Sequence, residues 1–195
     1  MRMLLLLAAL FLFGAYELWD SREVKQPAGV LAPEEPRQEP FEIQPPLLKP
    51  GYRIAALASF DIQARVLHAE RYRSDRASDI SPADLALGWG PMSDGSVLDH
   101  FTFNQYHRVF SWHADTLPIP RQVIEQHASN MHIIPATAEI EKSLKSVRVG
   151  HIVHIQGYLV EVRGEDGWVW RSSLNRTDTG NGACEVIWVE SLLVR

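Results

Sequence analysis

Side chains suited to chemistry are spread thinly along this chain. Eight histidines occur in 195 residues, beside a single cysteine, Cys184. The best acid–base set is Asp94, Asp99 and His100, close to expected helix starts, with His132 at the end of a short expected strand. General acid–base catalysis needs a group held against the proton it moves, and imidazole with carboxylate is the pairing that works near neutral pH. His132 and Asp99 are the best such pair, and nothing local in the sequence holds them together.

Other constellations fail on spacing or flanks. His151 and His154 are three apart in an expected strand, so they point to opposite faces and share no metal locally. His100, His107, His113 and His132 converge only if the fold brings them together. One cysteine excludes both a disulfide framework and a thiolate zinc cage. The expectation is therefore no metal and no cofactor. Asp178-Thr179-Gly180 matches the aspartic-protease tripeptide, but that chemistry needs a second carboxylate and apolar flanks. Its neighbours are polar and no second copy occurs, so it reads as a turn. Ser172 and Ser173 lack the glycines of a nucleophile elbow.

Aromatic side chains supply the candidate binding residues. Trp89 lies between Gly88 and Gly90, while Tyr158, Trp168 and Trp170 fall in the C-terminal strands. Packing in the core is the plainer role for all four. Single-stranded nucleic acid can stack on such rings, but it also needs clustered cations. Beyond residue 50 there are 17 acidic against 14 basic residues, so no nucleic-acid partner is expected.

The elements that position these residues follow from local signals. Alternation across Ser59–Tyr72 predicts a strand. Ser81-Pro82-Ala83-Asp84 reads as a helix start, stopped at the Gly-Trp-Gly-Pro corner 88–91, and Ser93 as the cap of a second short helix. Residues 101–113 read as an aromatic hairpin, 118–127 as a helix and 131–134 as a strand. Thr137 caps a helix whose Ile140, Leu144 and Val147 share one face. From Gly150 the period is two, and the apolar parity widens after Gly157, which suggests a bulge. A tight turn at 164–167, a strand at 168–174, a polar loop and a last strand at 184–189 complete an OB-like or SH3-like pattern. The fold class is α+β: mixed strands and short helices with a C-terminal small-barrel portion, after an N-terminal transmembrane helix.

Residues 3–16 are uncharged and apolar, and the run extends to Trp19 with Tyr16 and Trp19 suited to the interfacial belt. Seventeen residues make roughly 25 Å of helix, close to a bilayer core. The residues preceding any cleavage point are poorly shaped for it, so an uncleaved signal anchor over 1–20 is expected rather than a cleaved signal. Residues 21–50 form a Pro/Glu-rich linker, with seven of the twelve prolines between 26 and 50. Fully extended, those 25 residues reach on the order of 70 Å. The remaining 51–195 form the domain.

Three segments carry a resemblance: DLALGWGPMSD (84–94), SNMHIIPA (129–136) and WRSSLNRTDTGNGACE (170–185). Together they resemble an uncharacterised family of bacterial membrane-anchored proteins, over residues 52–194. The resemblance implies an envelope location and carries over no catalytic residue. The expectation is thus a single-pass inner-membrane protein, anchored through residues 3–19, with its domain in the periplasm. Its expected role is binding or assembly with an envelope protein partner. The alternative is an envelope hydrolase using carboxylate and His groups gathered by the fold.

Overall fold

The computed structural model describes Phe11, Gly14 and residues 22–40, 47–175, 178 and 183–195. Most of the expected anchor, and Thr179 and Gly180 of the protease-like tripeptide, lie outside the described residues. Among the described residues no helix is long and apolar enough to cross a membrane.

The chain is α+β and dominated by one large sheet. In order come β1 (Arg37–Glu39), β2 (Leu47–Lys49), β3 (Tyr52–Arg71), β4 (Ala83–Gly88), α1 (Gly95–Leu98), β5 (Thr102–Tyr106) and β6 (Val109–His113). Then follow α2 (Arg121–Gln126), β7 (Ala128–Pro135), α3 (Ala138–Lys145), β8 (Ile152–Gly164), β9 (Val169–Arg171) and β10 (Glu185–Val194). Five strands close into a ring: β3 pairs β4, β4 pairs β7, β7 pairs β10, β10 pairs β8, and β8 returns to β3. Only β7 and β10 run parallel within it, with α3 and β8 in the intervening chain.

Strand alternation fills the ring. Phe60, Ile62, Ala64, Leu85, Leu87, Met131, Ile133, Val153, Ile155, Leu159, Ile187 and Val189 make one buried cluster drawn from all five strands. Thr137 caps α3 through its side chain, accepting from Ile140 N, and Leu144 and Val147 extend that cluster. Two further clusters cover the outer face. One joins Val160, Val162, Val186 and Trp188 with Tyr158, Trp168 and Trp170. The other lies beneath the β5–β6 hairpin, where Leu67, Ala86, Met92 and Ile124 meet Phe101, Phe103, Phe110 and Trp112.

Several expectations need correcting. The segment expected to start a helix at Ser81 is instead strand β4, every residue of it buried. Both of its faces are covered, so the alternation that marks a strand is absent from the sequence. Asp94, not Ser93, caps α1, because the Ser93 hydroxyl is turned to other partners. The barrel-like ring is not confined to the C-terminus, since β3, β4 and β7 supply three of its strands. The irregularities expected at Gly157 fall on its partners, in β3 between Ala56 and Ala58 and in β10 between Val189 and Ser191. Gly157 itself is required by proximity: a Cβ there would lie 1.9 Å from the Trp188 carbonyl oxygen. The expected boundary at residue 51 falls inside the β2–β3 hairpin, and residues 22–40 lie against the ring, with β1 paired to β3.

Candidate functional site

The β5–β6 hairpin turns on two residues with positive φ, His107 (49°) and Arg108 (67°). Two left-handed residues in succession match the right-handed twist of the flanking strands. Non-glycine residues adopt that conformation at a cost, and here Arg108 has strong compensation. Its guanidinium makes five hydrogen bonds: Nε and Nη2 to the Asp75 carboxylate (2.9 Å each), Nη1 to Asp84 Oδ1 (2.7 Å) and Ser81 Oγ (3.2 Å), and Nη2 to Ser81 O (2.9 Å). The guanidinium also stacks 3.8 Å from the Tyr72 ring centroid. Burial, reinforced by the Asp84 charge, pushes the Tyr72 phenol up to about 12, so it stays protonated.

Asp84 is fully buried, and its second oxygen meets His132. The two residues are register partners across β4 and β7, with Nδ1 2.9 Å from Oδ2. The ring N–H is not aimed along that line, and neither atom makes an aligned hydrogen bond among the described residues. The contact is therefore a buried charge pair. Burial alone would lower the His132 pKa; the Asp84 carboxylate and the Cys184 sulfur outweigh it and push the imidazole up to about 9. Trp170 covers the ring, with centroids 4.6 Å apart.

Cys184 lies immediately before β10, half-buried and free of any disulfide. Its sulfur stands 3.8 Å from Asn130 Nδ2 and is one of the groups that raise the His132 pKa. Asn130 is itself fixed, donating to Arg108 O (3.0 Å) and accepting from Gln105 Nε2. Gln105 Oε1 in turn meets His68 Nδ1 at 2.9 Å. Asp84, Asn130 and His132 thus face outward on neighbouring strands, and Cys184 joins them from the start of the next. Asn130, His132 and Cys184 border a pocket of about 700 Å³ between the hairpin and the loop before β10, walled by Phe110, Trp112 and Trp170, and Asp84 lies buried behind His132. That size suits a small organic ligand or one residue of a polymer.

Compared with family models, curated proteins and solved structures, the chain matches none.

Of the residues singled out in the sequence, His132 and Trp170 are in this pocket. The carboxylate that His132 meets is Asp84, not Asp99. Asp99 is the exposed C-cap of α1, His100 is exposed beside it, and Asp94 is occupied as the helix cap, accepting from Ser96 N and Oγ (2.9 Å each). Those hydrogen bonds hold the Asp94 carboxyl below its ordinary range. Trp89 belongs to the core at 2% exposure, with Nε1 donating to Glu35 (2.8 Å). Trp168 is engaged by Arg76 (4.7 Å to the centroid), and Tyr158 packs in the outer cluster. Ser172 and Ser173 hold the loop: Ser172 Oγ accepts from Val186 N (3.1 Å), and Ser173 Oγ donates to Asp178 (2.6 Å). Among the described residues no group of three or more His, Cys, Asp or Glu side chains is arranged to hold a metal ion.

The sequence reading missed Asp84, Arg108 and Cys184. For Cys184 a signal exists: a lone thiol with no disulfide partner is a candidate reactive group. For the other two it does not, because their partners lie 24 to 48 positions away.

Proposed function

We propose that this protein is a membrane-anchored enzyme of the bacterial envelope, hydrolysing an acyl compound through a cysteine nucleophile. Cys184 is the nucleophile, His132 the imidazolium partner that holds its proton, Asp84 the carboxylate that favours that charge, and Asn130 the donor beside the sulfur. The observation that carries the reading is the array Asp84–His132–Cys184 on the edge of an aromatic-walled pocket. A thiol activated by a base that a third group orients is the general arrangement for nucleophilic catalysis.

The chemistry balances. With the proton already held on His132, Cys184 attacks as the thiolate of an ion pair and its sulfur forms an S–C bond to the acyl carbon. The C–X bond breaks as His132 returns the proton to the leaving group. Water then attacks the thioester, His132 accepts its proton, the C–S bond breaks, and the thiolate–imidazolium pair is restored as the acid leaves.

Fold topology supports the same location. The strand order of the ring, its single parallel pair and the helix between the third and fourth ring strands match an OB-type barrel. In such barrels ligands meet the outer face of the second and third strands and the loop between the fourth and fifth. Here those are β4, β7 and the chain between β8 and β10, and the latter two line this pocket. A binding or assembly role toward an envelope partner is the second reading, favoured by the Trp170 ring lying over His132. Turnover of a panel of esters, thioesters and amides by the folded domain separates the two. The enzyme reading expects activity that Cys184→Ser abolishes without moving the melting temperature. Saturable binding of the panel without turnover selects the second reading.

A further inference from the structure

Residues 22–40 follow a fixed course along the ring. Val24 N donates to Val149 O (2.8 Å), and Glu23 reaches Arg65 (3.6 Å). Gly150 makes that approach possible, since its φ is +89° and a Cβ would lie 2.1 Å from Val24 O. Leu31 N and Ala32 N both donate to Ser93 Oγ (3.1 and 3.0 Å), and Ala32 O accepts from Gly90 N (2.7 Å). Glu35 accepts from Trp89 Nε1 and meets His127 Nε2 at 3.0 Å, and β1 then adds to the edge of β3.

Chain length makes this consequential. The apolar run ends at Trp19, and Val24 is already fixed five residues later. Five residues span at most roughly 18 Å. A domain held at Val24 stands that close to the end of its anchor, not at the far end of a long leash. The corner nearest the anchor is basic. Arg22 and Lys25 flank the docked residue, Arg148 precedes Val149, and the backbone of Arg195 pairs with Ile152. The anions there are Glu23, which faces Arg65, Asp94, which Arg65 also influences, and the carboxyl terminus.

We infer that the domain is seated against the bilayer that holds its own anchor. The Gly150 corner faces the membrane, and Arg22, Lys25, Arg148 and Arg195 meet the phosphates of anionic lipid headgroups. The inference rests on the anchor reading of residues 3–19. Attraction of this kind acts within a Debye length of about 8–10 Å, which only a short connection ensures.

Full-length protein in vesicles of phosphatidylcholine, with and without phosphatidylglycerol, tests the seating. In a Cys184→Ser background, a fluorophore is placed at Ser146→Cys, beside this corner, or at Glu165→Cys, beyond the opposite end of β8. The strand separates the two by up to roughly 40 Å at ~3.3 Å per residue. Energy transfer to a headgroup acceptor is expected from position 146 and lost from position 165, with the contrast growing with phosphatidylglycerol. Lys25→Glu with Arg148→Glu should shrink that contrast while the domain stays folded. Flotation with equal transfer from both positions, whatever the lipid charge, overturns the seating. Failure to float at all overturns the anchor, and the seating with it.

Discussion

Asp84 and His132 sit opposite each other in the β4–β7 ladder, and their side chains meet 2.9 Å apart on the outer face of the ring. Arg108 grips the other Asp84 oxygen, so one buried carboxylate carries two cationic partners. Such a cluster is costly to break from one side, because the remaining charge stays buried without compensation.

Arg108 is therefore expected to matter for stability before it matters for activity. Arg108→Ala leaves Asp84 with one partner and should cost ~3–5 kcal/mol. Arg108→Lys keeps the charge but loses the planar fork that spans Asp75, Ser81 and Asp84, and should fall between the two. Urea denaturation of the soluble domain measures both, and equal midpoints for all three proteins would exclude this role.

His132 makes stability depend on pH. Its folded pKa, near 9, lies above the ordinary value of 6.5. Folding therefore takes up a proton where the unfolded chain has lost one. This contribution is fully present below about 6.5 and disappears as the pH rises through about 9. The unfolding midpoint should fall across that interval, and His132→Gln should flatten the fall. A wild-type midpoint that rises between pH 6.5 and 9 contradicts the assigned charge state.

Trp89 is a core residue held at one edge by Glu35. Trp89→Ala should cost ~3–5 kcal/mol, as other large aromatic truncations do. Glu35→Gln should have a much smaller effect on the melting temperature. A Trp89 variant as stable as the wild type would return that ring to the list of surface binding residues.

Asp99 and His100, exposed at the end of α1, are expected to be dispensable. Asp99→Asn and His100→Gln should each change stability by no more than ~0.5 kcal/mol and leave turnover unchanged. Loss of turnover in either, with normal melting, would move the site from the pocket to α1.

What the sequence makes legible is what is local. Thr137 with Ile140, Leu144 and Val147 announces α3, and the aromatic alternation of 102–113 announces the hairpin. Strand β4 is hidden because Leu85 and Leu87 face the ring interior while Ala86 packs outside it. With Ala83 and Ala86 beside the leucines and Ser81-Pro82-Ala83-Asp84 shaped like a helix start, the local signal favours a helix. The prolines of 26–50 favour an extended chain, but extension says nothing of docking. That depends on Ser93, Trp89 and Gly150, which sit 50 or more residues away. The site is hidden for the same reason. Asp84 meets His132 only through strand register, and Cys184 reaches them only because β10 lies parallel beside β7.

The most direct test of the thiol reading is mass spectrometry of the intact domain after mixing with excess short-chain p-nitrophenyl ester. The account predicts a single acyl adduct at Cys184, lost on standing in water and absent in Cys184→Ser. In folded His132→Asn the adduct should form at least ~100-fold more slowly, the minimum expected for removing a general base. Acylation of Cys184 at the same rate with and without His132, or no adduct at Cys184 at all, would contradict it.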